Sequence, residues 1–257
     1  MKNRLSTIIK AKGNAIGSFF GVSTPQILED LCSTGLDFVI IDCEHGSYDT
    51  MPMSDMIQAA CTSGLVPIVR IADLTHGAMQ RALDNGAEGI IIPCLRTVEE
   101  FRKVAELGKF PPLGNRGFIK GRGSRFGNAD WASGSLESYM ENSNEHVLLL
   151  PQCETEEALA HIEEIVQIPG IDGIFIGPFD LSIGMGIPAQ FDAPAFTAAL
   201  DRILKACKNA GKLCMTFTTS PKQAKESLAQ GFDAVANDLD SVVFARAYQD
   251  MVDSIRG

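Results

Sequence analysis

The sequence is short of positive charge, of histidine, of aromatic residues and of long apolar runs. Its 257 residues carry a formal net charge of −10. Phosphate binding needs a basic surface, so a nucleic-acid partner is not expected. No apolar run nears the roughly 18 residues that would suggest a membrane span. The opening MKNRLSTIIKAKGNAIG lacks the continuous apolar stretch of a signal peptide. The seven cysteines show no zinc-ligand spacing, and an odd count argues against a complete disulfide framework. A cytoplasmic protein with no membrane partner is therefore expected. No Gly-x-Gly-x-x-Gly follows the first apolar run, which weakens a dinucleotide-binding reading. Only four histidines are present, so histidine chemistry has few places to occur.

What is present is a regular alternation. Eight short apolar runs read as strands: Ala15–Phe19, Asp37–Asp42, Val66–Arg70, Gly89–Pro93, Val147–Cys153, Ile171–Ile176, Lys212–Phe217 and Asp233–Ala236. Helical patterns separate most of them, for example Pro25–Ser33, Met53–Thr62, Val98–Leu107, Glu156–Val166, Phe196–Ala210 and Pro221–Ala229. Several helices end in Gly just before the next strand, where a left-handed residue closes the last turn. The pattern predicts an α/β protein, a (β/α)8 TIM barrel filling residues 1–257 as a single domain. Hydrophobic residues make up 45%, enough for a sizeable core. One connection breaks the rhythm, a Gly-, Asn- and Ser-rich excursion over about 110–145. It carries Arg116, Arg122, Arg125 and the only Trp, and is expected to contact substrate or another subunit. A final helix over 241–255 has apolar residues along one face.

Acids and bases stand where these strands end. Glu154 follows the fifth strand and Asp180 the sixth. Parallel strands put both at one edge of the sheet, as a divalent cation with hard oxygen ligands requires. Alone, Glu154 reads better as a helix-dipole partner and Asp180 as an N-cap; the pair favours metal, with Mg²⁺, Mn²⁺ or Co²⁺ ahead of a thiolate-type zinc site. The second strand ends in Asp42-Cys43-Glu44-His45-Gly46 and the third in Arg70. His45 is the best candidate for a base, whereas His76, His146 and His161 sit where solvated roles are expected. Arg70 puts a fixed positive charge at the same mouth, or forms a structural ion pair with Asp42 or Glu44. Alternation along the strand turns Cys43 and Cys153 away from the ligands.

Five stretches in order carry a resemblance: DFVIIDCEHGSYD, PIVRI, LDNGAEGIIIPCLRTVEE, PPLGNRGF and PQCET…GIFIGPFDLS. They resemble the HpcH/HpaI family of metal-dependent (class II) pyruvate aldolases, of the 2,4-dihydroxyhept-2-ene-1,7-dioate aldolase and 2-dehydro-3-deoxyglucarate aldolase type. The resemblance implies a barrel of the phosphoenolpyruvate/pyruvate type. It implies reversible retro-aldol cleavage of a 4-hydroxy-2-oxo acid to pyruvate and an aldehyde. By the same resemblance Glu154 and Asp180 are the metal ligands, His45 the catalytic histidine and Arg70 the enolate contact. Asp42 and Asp84 match acids that support the histidine. Gln152 matches a pocket amide, and Pro178–Phe179 the segment that holds the substrate carboxylate. Homo-oligomers, hexameric or trimeric, with exchanged C-terminal helices are also implied. Asp84 ends a helix before the fourth strand and should face the wrong end of its own barrel, so a role would have to cross a subunit boundary. The chain departs from the usual pattern at Phe179 and over Ala236–Asp240, which leaves the acceptor aldehyde open. Competing readings are a class I aldolase, with Lys120 as the only weak candidate for a Schiff base, a lyase acting on an acyl-CoA-type substrate, and a non-catalytic oxo-acid-binding barrel.

Overall fold

Strands β1 (Ala15–Phe20), β2 (Phe38–Asp42), β3 (Val66–Arg70), β4 (Gly89–Ile92), β5 (Leu148–Cys153), β6 (Gly173–Ile176), β7 (Leu213–Thr218) and β8 (Ala234–Leu239) pair in chain order and close on themselves. Every pairing is parallel, including β1 with β8. The computed structural model describes residues 3–22 and 24–257. The expected (β/α)8 barrel is thus present, with β8 running three residues past its expected end.

Side chains alternate across each strand, so the barrel has two cores. Phe38 and Ile40 join the interior with Val66, Ile68, Leu148, Leu150, Phe175 and Met215. Val39, Ile41, Val69, Leu149 and Ile174 point outward and pack under the helices. The same period of two carries Asp42, Arg70 and Gln152 to the inward side of the last layer. Asp42 and Arg70 are directly opposite in the β2–β3 register. Cys153 lies in the outer core, turned away from the mouth as expected.

The amino end of the barrel repeats one device. Gly35-Leu36-Asp37, Gly86-Ala87-Glu88, Gly170-Ile171-Asp172 and Gly231-Phe232-Asp233 each precede an even-numbered strand. Each Gly is left-handed, with φ between 86° and 108°, a conformation that strains a residue bearing Cβ. Each acid then meets a cation: Asp37 with Lys12 (2.5 Å), Glu88 with Arg4 (2.7 Å), Asp172 with Lys109 (2.8 Å) and Asp233 with Lys208 (2.6 Å). The three aspartates also accept the N–H of the preceding strand, from Ile16, Leu149 and Cys214.

Two sequence expectations change. The 110–145 excursion is not irregular throughout: it holds two short 3-10 turns and the helix Leu136–His146. Its aromatics form their own small core of Phe110, Ala132 and Tyr139 with Trp131 packed against it. His146 is not solvated. Its ring stacks on Trp131 at 5.0 Å, and burial holds its imidazole below the ordinary histidine range. The final helix runs Asp240–Arg256, and only Asp240 in it is buried. Among the described residues no helix is long and apolar enough to cross a membrane.

Candidate active site at the carboxyl end of the barrel

Arg70 is the hub of the mouth. Its Nε and Nη2 donate to the two oxygens of Asp42 (2.8 and 2.6 Å), and its Nη1 lies 3.0 Å from Glu44 Oε2. Asp42 ends β2 and Glu44 follows two residues later, so the guanidinium is fixed by a bidentate fork and an added ion pair. It also stands 4.7 Å over the Phe19 ring. The ion pair expected as an alternative is present, and its hydrogen bonds to Asp42 use two of the five guanidinium N–H bonds.

Glu154 sits directly after β5 and is buried. Its Oε1 accepts the backbone N–H of Cys94 at 2.6 Å, and its Oε2 accepts from Gln152 Nε2. Cys94 adopts φ 61° to aim that N–H, a left-handed conformation that costs about 1 kcal/mol for a residue with Cβ. Burial pushes the Glu154 carboxyl up to about 7, the Cys94 bond opposes this, and Asp180 and Glu44 add to it. Helix duties do not explain Glu154: Thr155 is the N-cap of the following helix and accepts from Ala158. Nor is Asp180 a cap. Gly177 occupies the cap position of the helix Pro178–Gly184, and Asp180 lies in its first turn.

Three observations bear on a cation here. Gln152 Oε1 is buried without a partner. A Cβ at Gly177 would come within 2.5 Å of Glu154 Oε2, so only glycine keeps the carboxylate clear. The acids exceed the one arginine, which Asp42 and Glu44 already engage. Among the described residues no three or more His, Cys, Asp or Glu side chains gather into a complete metal cage. Two carboxylates with the remaining positions left to water and substrate suit Mg²⁺-like cations, so these residues fit such an ion.

The structure brings His45, Arg70, Gln152, Pro178, Phe179 and Asp180 together around one open cavity of about 210 Å³. His45 is 72% exposed, with Nε2 3.9 Å from Glu44 Oε2. Asp42 does not orient that imidazole as expected: it reaches His45 only at the backbone N–H, 3.4 Å from Oδ1, and spends its carboxylate on Arg70. Asp84 is not at the mouth. The helix His76–Asn85 runs back toward the amino edge, where Asp84 binds Arg116 (3.0 Å) and Gln80 (2.7 Å). No lysine lines the cavity among the described residues, and Lys120 is exposed on the excursion. Arg116 and Arg122 of that excursion are engaged by Asp84 and Ser54, away from the mouth. Sequence reasoning named Glu44 only as an alternative partner of Arg70, and named neither the backbone of Cys94 nor the walls Phe19, Phe217 and Leu239. That Arg70–Glu44 pair is present; the Cys94 backbone had no side-chain signal.

Comparison with known proteins places this arrangement. The profile of the HpcH/HpaI aldolase/citrate lyase family matches residues 15–247. A hydroxypyruvate/pyruvate aldolase of Cupriavidus necator is 31% identical over 99% of this chain and 93% of its own length. A 2-keto-3-deoxy-L-rhamnonate aldolase of Shigella sonnei is 31% identical over 90% of this chain and 85% of its own. The crystal structure of an HpcH/HpaI aldolase from Desulfitobacterium hafniense superposes with a TM-score of 0.87 at 26% identity, covering 97% of this chain and 96% of that one.

Proposed function

The chain belongs to the HpcH/HpaI aldolase/citrate lyase family, and from that premise we propose how its mouth residues divide the work of a class II aldolase. The protein is a carbon–carbon lyase that cleaves a 4-hydroxy-2-oxo acid reversibly to pyruvate and an aldehyde. Glu154 and Asp180 would hold a divalent cation, Mg²⁺, Mn²⁺ or Co²⁺, which would supply Lewis-acid stabilisation of the enolate charge. Arg70, immobilised by Asp42 and Glu44, offers its free N–H bonds to the same developing oxyanion, with no reorganisation needed. His45 takes the proton from the 4-hydroxyl during cleavage and returns it in the aldol direction. Its exposure leaves the ring free to meet that hydroxyl, and Glu44 lies on the side where a developing imidazolium gains from it. The first-turn N–H of Phe179, next to Pro178, which has none, is capped by no side chain and suits the substrate carboxylate. Gln152 sets the position of Glu154 and presents its free oxygen to the cavity.

The observation that carries this reading is the excess of buried acid beside a single, fully braced arginine at the carboxyl end of the barrel. The whole barrel acts as one unit in it. A homo-oligomer is part of the same proposal: Val242, Val243, Phe244, Tyr248 and Met251 stand exposed along the final helix, more apolar surface than a solvated helix needs. Asp84 would act, if at all, only across such a boundary.

The test separates two proton steps on one preparation. Chelation is expected to abolish cleavage, and Mg²⁺, Mn²⁺ or Co²⁺ to restore it. Arg70→Ala should lose roughly 10²–10³ in both cleavage and deuterium exchange of the pyruvate methyl group. His45→Ala should lose roughly 10²–10⁴ in cleavage but retain more of the exchange. Cleavage by His45→Ala within a few-fold of wild type would remove the base assignment.

A further inference from the structure

The cavity at the mouth has two unlike halves. Its polar groups, His45, Arg70, Gln152 and Asp180, all come from the ends of β2, β3, β5 and β6. The side supplied by β1, β7 and β8 presents Phe19, Phe217 and Leu239, and Phe179 continues that wall from the β6 loop. The rings stand edge to face: Phe19 lies 5.6 Å from Phe217 at 79° and 5.8 Å from Phe175 at 75°. One face of Phe19 lies under Arg70, and the ring surface left for another flat apolar group is that of the exposed Phe179 and the half-buried Phe217.

Nothing on that wall suits a charged or hydroxylated tail. Among the described residues no lysine or arginine but Arg70 lines the cavity, and Asp42 and Glu44 engage it. No threonine lines this cavity among the described residues; those behind it spend their protons elsewhere, Thr216 on the Phe217 carbonyl and Thr218 on Asn237 Oδ1. A polyhydroxylated chain would leave its water and find no partners, a cost that apolar walls do not offset.

Resting on the aldolase reading above, we propose that the aldehyde half of the substrate is apolar and ring-sized, an aryl or branched-alkyl aldehyde seated on Phe19, Phe179, Phe217 and Leu239. Phe179 and Phe217 also form the partition to a second cavity of about 160 Å³, lined further back by Phe191, Thr218 and Gln223. They therefore set the depth of the acceptor site. Removing either ring joins the two spaces and removes the flat contact.

The experiment compares cleavage of three pyruvate adducts, those of benzaldehyde, succinic semialdehyde and glyceraldehyde, by metal-loaded enzyme. The benzaldehyde adduct should exceed the other two in kcat/KM by at least tenfold, the scale on which an apolar pocket discriminates. Phe179→Ala should cut the ratio of benzaldehyde to glyceraldehyde adduct by tenfold or more, and Phe217→Ser should do the same. Phe179 is 40% exposed, so its truncation spares the core. A glyceraldehyde or succinic semialdehyde adduct cleaved as well as or better than the aryl one overturns the proposal, as does an unchanged ratio in both variants. Deuterium exchange of pyruvate by the wild-type enzyme needs no acceptor. If exchange occurs while the order is reversed, the acceptor assignment fails alone; if exchange is absent, the aldolase reading fails with it.

Discussion

At the amino end of the barrel, Asp37, Asp172 and Asp233 each hold a lysine and a neighbouring strand's N–H. At the carboxyl end, Glu154 and Asp180 hold no lysine or arginine among the described residues, and an amide oxygen beside them has no partner there. The two ends are built from the same elements, strand termini bearing acids, and differ in whether the acids are neutralised. A buried charge left uncompensated costs stability and persists where the fold over-determines it. The amino end spends its carboxylates on holding strands in register. The carboxyl end stores negative charge and leaves room beside it, which is the condition a cation and an anionic substrate can share.

Breaking the amino end should give the largest effect. Asp172→Ala leaves Lys109, whose side chain is 1% exposed, with only the Asn144 and Val147 carbonyls. Losing one partner of a buried pair typically costs about 3–5 kcal/mol. Denaturant unfolding should show that loss, while kcat per folded molecule stays near wild type. A variant that kept its stability and lost its rate would erase the distinction between the ends.

The carboxyl end should answer with the opposite sign. Glu154 holds its proton up to about 7 in the fold, against 4.5 ordinarily. The folded value is raised, so its favourable share of stability is present below about 4.5 and lost as pH rises through about 7. Glu154→Gln should therefore stabilise the metal-free protein at pH 8, by an amount on the order of 2 kcal/mol, and leave stability at pH 4 little changed. Thermal unfolding with and without Mg²⁺ checks it: the ion should raise the Tm of wild type at pH 8 and not that of the variant.

His146 sharpens the contrast with the smallest effect. It is a titratable group near the amino end whose Nδ1 has no partner, and burial lowers its pKa. Its stabilising share is present above the ordinary histidine pKa and lost as pH falls. Its NMR resonance should titrate below the ordinary histidine range, and His146→Phe should soften the acid-side loss of stability by less than about 1 kcal/mol. A resonance titrating at the unperturbed value would mean that this end tolerates charge without a partner.

Much of this was legible from local pattern. Short apolar runs punctuated by Gly read as strands because alternation and turn chemistry act over a few residues. The Gly-x-Asp/Glu step before every even strand was there to be read too, and its repetition would have pointed to a capping device. The short helix Pro178–Gly184 escaped notice because Gly177 offers no side-chain cap and Pro178 resembles a loop residue. The helix Glu156–Val166 expected as one piece is two, Glu156–Ala160 and Ile162–Ile165, parting at His161. Solvation of His146 was misjudged because its burial comes from Trp131, fifteen positions away.

The sequence by itself determined the barrel, the strand-end positions of Asp42, Arg70, Gln152 and Glu154, and the family, since each rests on periodicity or on contiguous motifs. Only the tertiary structure decided how those groups are spent. Whether Asp42 serves His45 or Arg70 depends on cross-strand register, which puts Asp42 opposite Arg70 and carries His45 out on the following turn. That a backbone N–H from Cys94 grips Glu154 depends on one left-handed residue in the loop after β4. Side-chain chemistry is written locally, but a partner across a barrel is set by shear, loop dihedrals and burial, which no stretch of adjacent residues encodes.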